Sequence, residues 1–208
     1  MVNDSKNFKY IYNFLSLNNK HLILMKLIII TGPSGSGKTS LAKKLMAKLE
    51  NCHVISTDDF YRTGKISNLL SKFLESYFDK QISHNGKLLK KTINNILINK
   101  EINYSYKYDF IKKRTEISYM KSTNINNLII EGIFTLELLK FIATYDYLLI
   151  RLKLNKDICM KRIYERDHNE RGKSKKKSIE EFKKAWDIYK KKEKSYKKNG
   201  LGKELIFK

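Results

Sequence analysis

Lys38 and Thr39 stand at the end of a loop suited to phosphate chemistry, Gly32-Pro33-Ser34-Gly35-Ser36-Gly37-Lys38-Thr39-Ser40. The spacing is G-x-x-x-x-G-K-[ST], in which glycines allow the backbone to turn its N–H groups inward around phosphate oxygens. Pro33, Ser34, Ser36 and Ser40 complete the expected cradle. Lys38 is expected to reach the β- and γ-phosphates of a nucleoside triphosphate, and the Thr39 hydroxyl to coordinate Mg²⁺. Two carboxylates also end short apolar runs. Asp58 follows His53-Val54-Ile55-Ser56-Thr57, and Glu131 follows Asn127-Leu128-Ile129-Ile130. At such a position a carboxylate can accept a hydroxyl proton or hold Mg²⁺ through water; Asp58 taken alone reads equally well as a helix N-cap.

These groups need elements to place them. Leu27 to Thr31 is a continuous β-branched and leucine run, the pattern of a strand buried on both faces. After the loop, Leu41, Leu45 and Leu49 recur at helical spacing, so the phosphate motif lies between strand and helix as its mechanism requires. Gly64 to Phe78 reads as a helix with Leu69, Leu70, Phe73 and Leu74 on one face, and Lys87 to Asn99 as another. Ile102 to Lys121, with Tyr104, Tyr106, Tyr108, Phe110 and Tyr119, reads as an inserted hairpin offering an aromatic wall. Thr135 to Ile142 is a short helix, Tyr145 to Leu154 a strand, and a helix from Asn155 runs into Glu165 to Lys173, rich in cations and broken at Gly172. That run is expected to be a mobile lid over transferring phosphates or a solvated charged stretch. A long helix over Ser178 to Lys198 and a last strand at Glu204 to Phe207 follow. Alternating β and α elements imply an α/β fold, a P-loop NTPase-type parallel sheet flanked by helices, with the aromatic hairpin and basic lid inserted.

At 208 residues the chain suits one such domain, taken as residues 25–208, behind an extension of residues 1–24. Phe8 to Leu17 could form an amphipathic helix; with no arginine and no signal-peptide core, the extension is a poor targeting segment. No apolar run approaches the roughly 20 residues that span a bilayer. Cys52 and Cys159 lie far apart in no metal-ligand spacing, which fits reduced thiols and a cytoplasmic setting. The net charge of +22 raises nucleic acid as a partner. Only six of the 43 basic residues are arginine, and lysine, asparagine and isoleucine together suggest an AT-rich coding bias. The charge therefore does not favour nucleic acid over small anionic nucleotides.

Taken together, the elements resemble the uridine–cytidine kinase family, within the group that includes phosphoribulokinase. GPSGSGKTS is close to that family's phosphate loop. Ser56-Thr57-Asp58-Asp59-Phe60-Tyr61 resembles S-x-D-x-F-Y, Tyr77-Phe78-Asp79 resembles N-F-D, and Tyr108-Asp109-Phe110 with Arg114 resembles Y-D-F…R. Glu131-Gly132-Ile133 matches E-G-I, and Arg166-Asp167…Glu170-Arg171-Gly172-Lys173 matches the R-D…E-R-G-R lid. The resemblance implies ATP-dependent, Mg²⁺-assisted phosphorylation of a ribonucleoside 5′-hydroxyl, and a tendency to homo-oligomers. Asp58 would activate the hydroxyl, with Tyr61 and Phe78 beside the acceptor, Asp79 and Arg114 on the ribose, and Tyr108 flanking the base. Arg166 and Arg171 would neutralise the transferring phosphoryl group, Arg166 also touching the acceptor. The family's base-reading histidine after Y-D-F is absent, its place taken by Ile111-Lys112-Lys113, Lys80-Gln81-Ile82 replaces H-P-D, and Lys173 replaces the last lid arginine. The D-D-F at Asp58 to Phe60 also resembles nicotinamide riboside kinases. A different class, an NTP-gated RNA-binding protein, is the other reading; no guanine-reading N-K-x-D motif accompanies the loop.

Overall fold

The computed structural model describes residues 25–74, 77–196 and 203–207, with isolated positions 9, 11 and 13. Five strands make one parallel sheet: β1 (Lys26–Thr31), β2 (Cys52–Ser56), β5 (Asn127–Glu131), β6 (Tyr147–Leu152) and β7 (Lys203–Phe207), in the order β2-β5-β1-β6-β7. β1 is central because both its faces are apolar. Leu27 and Ile29 face one core with Leu89, Ile93 and Leu128, while Ile28 and Ile30 face the other with Leu41, Leu45 and Ile150. A run without polar alternation is what a strand covered by helices on both sides requires.

Among the described residues from 25 onward the helices are α1 (Lys38–Met46), α2 (Lys65–Phe73), α3 (Gly86–Asn99), α4 (Thr135–Leu138), α5 (Lys156–Arg171) and α6 (Lys175–Ser195). β3 (Ile102–Asp109) and β4 (Arg114–Ser122) form a separate antiparallel ribbon, as the tyrosine alternation predicts. The predicted helix over residues 64–78 is shorter. α2 stops at Phe73 because Leu74 is extended (φ −95°, ψ 111°), and two three-residue 3₁₀ turns follow. Its apolar face is not core either: Leu69 and Phe73 are 55% and 76% exposed. The helix expected from Asn155 continues through the basic stretch to Arg171. That stretch forms the last turns of α5, which closes where Gly172 turns left-handed (φ 61°) and donates its N–H to the Asp167 carbonyl. The expected amphipathic helix at Phe8 to Leu17 lies largely outside the described residues; within it, Ile11 is fully buried in the cluster that holds Ile28 and Ile30.

Candidate active site

The phosphate loop leaves the carboxyl end of β1 and opens α1. Lys38 is buried and folded back over its own loop, Nζ donating to the carbonyls of Gly32 (3.1 Å) and Pro33 (3.0 Å). Burial pulls its pKa down, opposed by the negative charges of Asp58 and Glu131. Ser36 Oγ is buried without a hydrogen-bond partner, a polar atom left over in a cradle of backbone amides. An anion with several acceptor oxygens fits that arrangement.

Parallel pairing sets the next two groups. Ser56 of β2 is in register with Glu131 of β5, and Ile30 of β1 pairs with Glu131 on the other side. Glu131 therefore ends its strand beside the phosphate loop, where its Oε1 accepts from Thr39 Oγ1 at 3.1 Å. Burial, and then the charge of Asp58, push the Glu131 carboxyl up, while Lys38, Ser56 and Thr39 pull it down. Asp58 lies two residues past the β2 end in a 3₁₀ turn (Thr57–Phe60), its Oδ1 accepting from Thr57 Oγ1 at 3.4 Å. A hydroxyl and two carboxylates are hard oxygen donors of the kind Mg²⁺ takes alongside phosphate oxygens. Thr39 and Glu131, hydrogen-bonded to each other, and Asp58, within electrostatic reach of Glu131, could supply such donors.

Three residues after Asp58, Tyr61 enters an aromatic cluster. Tyr61 sits 5.0 Å from Tyr108, 5.3 Å from Phe78 and 5.7 Å from Phe110, ring centre to ring centre, and its hydroxyl donates to the Phe78 carbonyl at 2.9 Å. Behind it, His84 stacks on Phe134 at 4.5 Å, and its ring Nε2 lies 3.0 Å from the Thr57 carbonyl, an arrangement that gives Nε2 the proton. The lid meets the cluster where the Arg171 guanidinium lies 4.0 Å over the ring of Phe110. Burial and the neighbouring Arg166 lower the Arg171 pKa, while Asp167, Tyr61 and Asp58 oppose them. The lid cations thus lie within electrostatic reach of the site, Arg171 of Asp58 in the 3₁₀ turn and Arg166 of Lys38 in the phosphate loop.

A phosphate loop, an Asp beyond β2 and a cationic lid around one crevice are the parts of a phosphoryl-transfer enzyme, and the sequence model of the phosphoribulokinase/uridine kinase family matches residues 27–198. The chain belongs to the phosphoribulokinase/uridine kinase family. It is 29% identical over 163 residues to a uridine kinase of Borrelia duttonii, covering 76% of this chain and 75% of that protein. It is 31% identical over 166 residues to a uridine kinase of Ureaplasma parvum, with coverage of 76% and 75%. A solved structure from Silicibacter sp. TM1040, described as a fructose transport system kinase, superposes with a TM-score of 0.73 at 16% identity, over 95% of this chain and 98% of that one. That likeness is one of fold. As a member of this family the chain is an ATP-dependent kinase, and its cofactors are ATP and Mg²⁺.

Most of the residues expected from the sequence meet here: the loop from Gly32 to Thr39, Asp58, Glu131, Tyr61, Phe78, Tyr108, Arg166 and Arg171. Ser40 is exposed in the first turn of α1. Arg114 is not brought in: its side chain is 62% exposed at the hairpin end and pairs with Glu116 at 3.3 Å. Asp79 ends the 3₁₀ turn Tyr77–Asp79, and its side chain lies outside the described residues. Two contacts escaped the sequence reading. Arg162 Nη1 donates to the Gly35 carbonyl at 3.4 Å, so α5 touches the phosphate loop itself. The available signal was its place one turn before Arg166. Asp59 Oδ1 accepts the Tyr108 N–H at 3.0 Å and ties the hairpin to the turn carrying Asp58.

Burial pushes the Asp59 carboxyl from 3.8 up to about 6, with Asp58 adding to the rise and the Tyr108 N–H opposing it. The folded state therefore binds a proton between pH 4 and 6 that the unfolded chain has released, and stability falls as pH rises through that window. Asn keeps an acceptor oxygen for Tyr108 without the charge. Asp59→Asn is expected to raise stability at pH 8 by about 2 kcal/mol, roughly 5 °C in Tm. The gain should vanish at pH 4 in thermal melts without nucleotide or metal. A lower Tm at pH 8 would show that the charge itself holds the hairpin.

Proposed function

We propose that this kinase transfers the γ-phosphoryl group of ATP to the 5′-hydroxyl of a ribonucleoside, with uridine and cytidine as acceptors and UMP and CMP as products. The observation that carries the reading is that Asp58 lies within electrostatic reach of Lys38 and Glu131 at the phosphate loop and of Arg171, which rests on the Phe110 ring of the cluster formed with Tyr61, Phe78 and Tyr108. A nucleoside whose base lies among those rings would present its sugar hydroxyl to Asp58 with the donor phosphate on the far side. The uridine kinases among the relatives support pyrimidine as the base.

Asp58 would accept the hydroxyl proton, or orient it, as the oxygen attacks phosphorus. Lys38 would leave the Gly32 and Pro33 carbonyls for the donor's phosphates, and Arg166 and Arg171 would neutralise charge on the group in flight. Thr39 and Glu131 would hold Mg²⁺, with Asp58 close by; the ion supplies charge neutralisation on the donor phosphates. Asp79 would hold the ribose hydroxyls. The rings now lie against one another, so entry of a base requires Tyr61 and Phe110 to separate.

The test is ADP release with ATP and Mg²⁺, measured in parallel with uridine, cytidine, nicotinamide riboside and no acceptor. Stimulation by uridine or cytidine is the expected result. Stimulation by nicotinamide riboside alone would overturn the pyrimidine assignment while keeping the kinase.

A further inference from the structure

One carboxylate in the lid is almost completely enclosed. The Asp167 side chain is 4% exposed, although it sits in the last turns of a helix where Lys161, Arg162, Glu165 and Glu170 are exposed. Its Oδ1 accepts from Arg166 Nε at 3.2 Å and Nη2 at 2.8 Å, and lies 3.3 Å from Arg171 Nη1; its Oδ2 lies 3.6 Å from Lys173 Nζ. The Asp167 carbonyl also accepts the N–H groups of Gly172 and Lys173, closing the helix. Lys173 is shared with Glu181 at 2.6 Å. Three cations thus meet two carboxylates, and the guanidiniums of Arg166 and Arg171 share a single oxygen.

That sharing has a consequence for geometry. Two like charges held on one acceptor would separate if the acceptor were neutral, and each free arginine side chain would sample many rotamers. With Oδ1 between them they are fixed relative to each other. Arg171 is fixed a second time by the Phe110 ring beneath it, at 4.0 Å. Arg166 lies within electrostatic reach of Lys38, and Arg171 of Asp58 and Tyr61. The pair is thereby aimed into the crevice between the phosphate loop and the acceptor rings.

We propose that Asp167 is the positioning residue of the lid, holding Arg166 and Arg171 as a preassembled pair for the donor's terminal phosphoryl group. It touches no reacting atom in this role and acts through the two arginines. Their arrangement is established before the donor binds, so less ordering remains for the transition state. The claim rests on the proposed phosphoryl transfer, but one of its readouts needs no acceptor.

The decisive measurement is the affinity gained from the third phosphate, taken as the ratio of ADP to β,γ-imido-ATP dissociation constants with Mg²⁺ present. Asp167→Asn keeps the size of the side chain and loses its charge. It is expected to cut this ratio about fivefold or more, to leave the ADP constant within about threefold, and to lower kcat about 30-fold or more where an acceptor is turned over. Asp167→Glu, which leaves no cation unpaired, guards against a folding defect. Displacing the carboxylate by one methylene is expected to cut the ratio about threefold without moving the thermal transition. An unchanged ratio in both variants overturns the proposal. So does an equal loss of ADP and β,γ-imido-ATP affinity, the mark of a lid that has merely come apart. Absence of transfer to any nucleoside by the wild-type enzyme would refute the proposed reaction, and the affinity ratio would still decide the role of Asp167.

Discussion

Asp58→Asn is expected to lower kcat by about 10³-fold while leaving the ATP dissociation constant within a factor of three. Asn matches Asp in size and can still accept from Thr57 Oγ1, so the 3₁₀ turn at the end of β2 has no cause to move. What disappears is the carboxylate proposed to accept the proton of the acceptor hydroxyl. In this reading the donor's phosphates would be held by the loop amides, Lys38 and Thr39, none of which is altered. Removing the negative charge also relieves Glu131, whose carboxyl Asp58 pushes up, and weakens the local field that favours protonated Lys38. These two effects oppose each other in donor binding, which is why little net change is expected there. Steady-state kinetics and equilibrium titration with ADP and ATP separate the two quantities. Parallel loss of both would remove Asp58 from the chemical step.

Gly132→Ala is expected to destabilise the protein by about 3 kcal/mol or more and to reduce turnover as well. Gly132 has φ +138°, a conformation that side-chain-bearing residues rarely adopt. A Cβ there would overlap Thr57 Oγ1 and lie 2.9 Å from Thr57 Cβ. Thr57 is fully buried, its carbonyl engaged by His84, so it cannot step aside. The bare backbone of Gly132 lets the carboxyl end of β5 close against the turn that follows β2, bringing Glu131 and Asp58 into one crevice. Urea unfolding gives the stability, and kcat of the folded variant gives the displacement of the two carboxylates. A loss below about 0.5 kcal/mol with normal turnover would show that this close approach is dispensable.

Local chemistry was legible in the sequence, and contacts across the fold were not. The strand–loop–helix unit from Lys26 to Met46 is written in contiguous residues, apolar run, then glycines, then helical periodicity. The same holds for β5 ending in Glu131 and for the hairpin with its alternating tyrosines. Element ends were softer: the strand expected over Tyr145 to Leu154 pairs only from Tyr147 to Leu152. Periodicity also announces an apolar face without saying what covers it. On α3 that face, with Leu89, Ile93 and Ile96, is core; on α2, Ile66, Leu69 and Phe73 remain exposed. Within the site, motif spacing led to Arg114 as readily as to Arg171, but the hairpin turns Arg114 to solvent while the α5 terminus lays Arg171 on Phe110. Arg162 on Gly35, Asp59 on Tyr108 and the three cations around Asp167 depend on how separate elements dock. No single stretch of sequence encodes them.

The central claim is transfer to a nucleoside 5′-hydroxyl, and removal of that one oxygen tests it most directly. ADP release is measured with ATP and Mg²⁺ in the presence of uridine, 5′-deoxyuridine or no acceptor. The expected result is release with uridine, accompanied by UMP, and only the background rate in the other two. Equal release in all three would contradict nucleoside phosphorylation, and release with 5′-deoxyuridine matching that with uridine would place the transferred group elsewhere on the sugar.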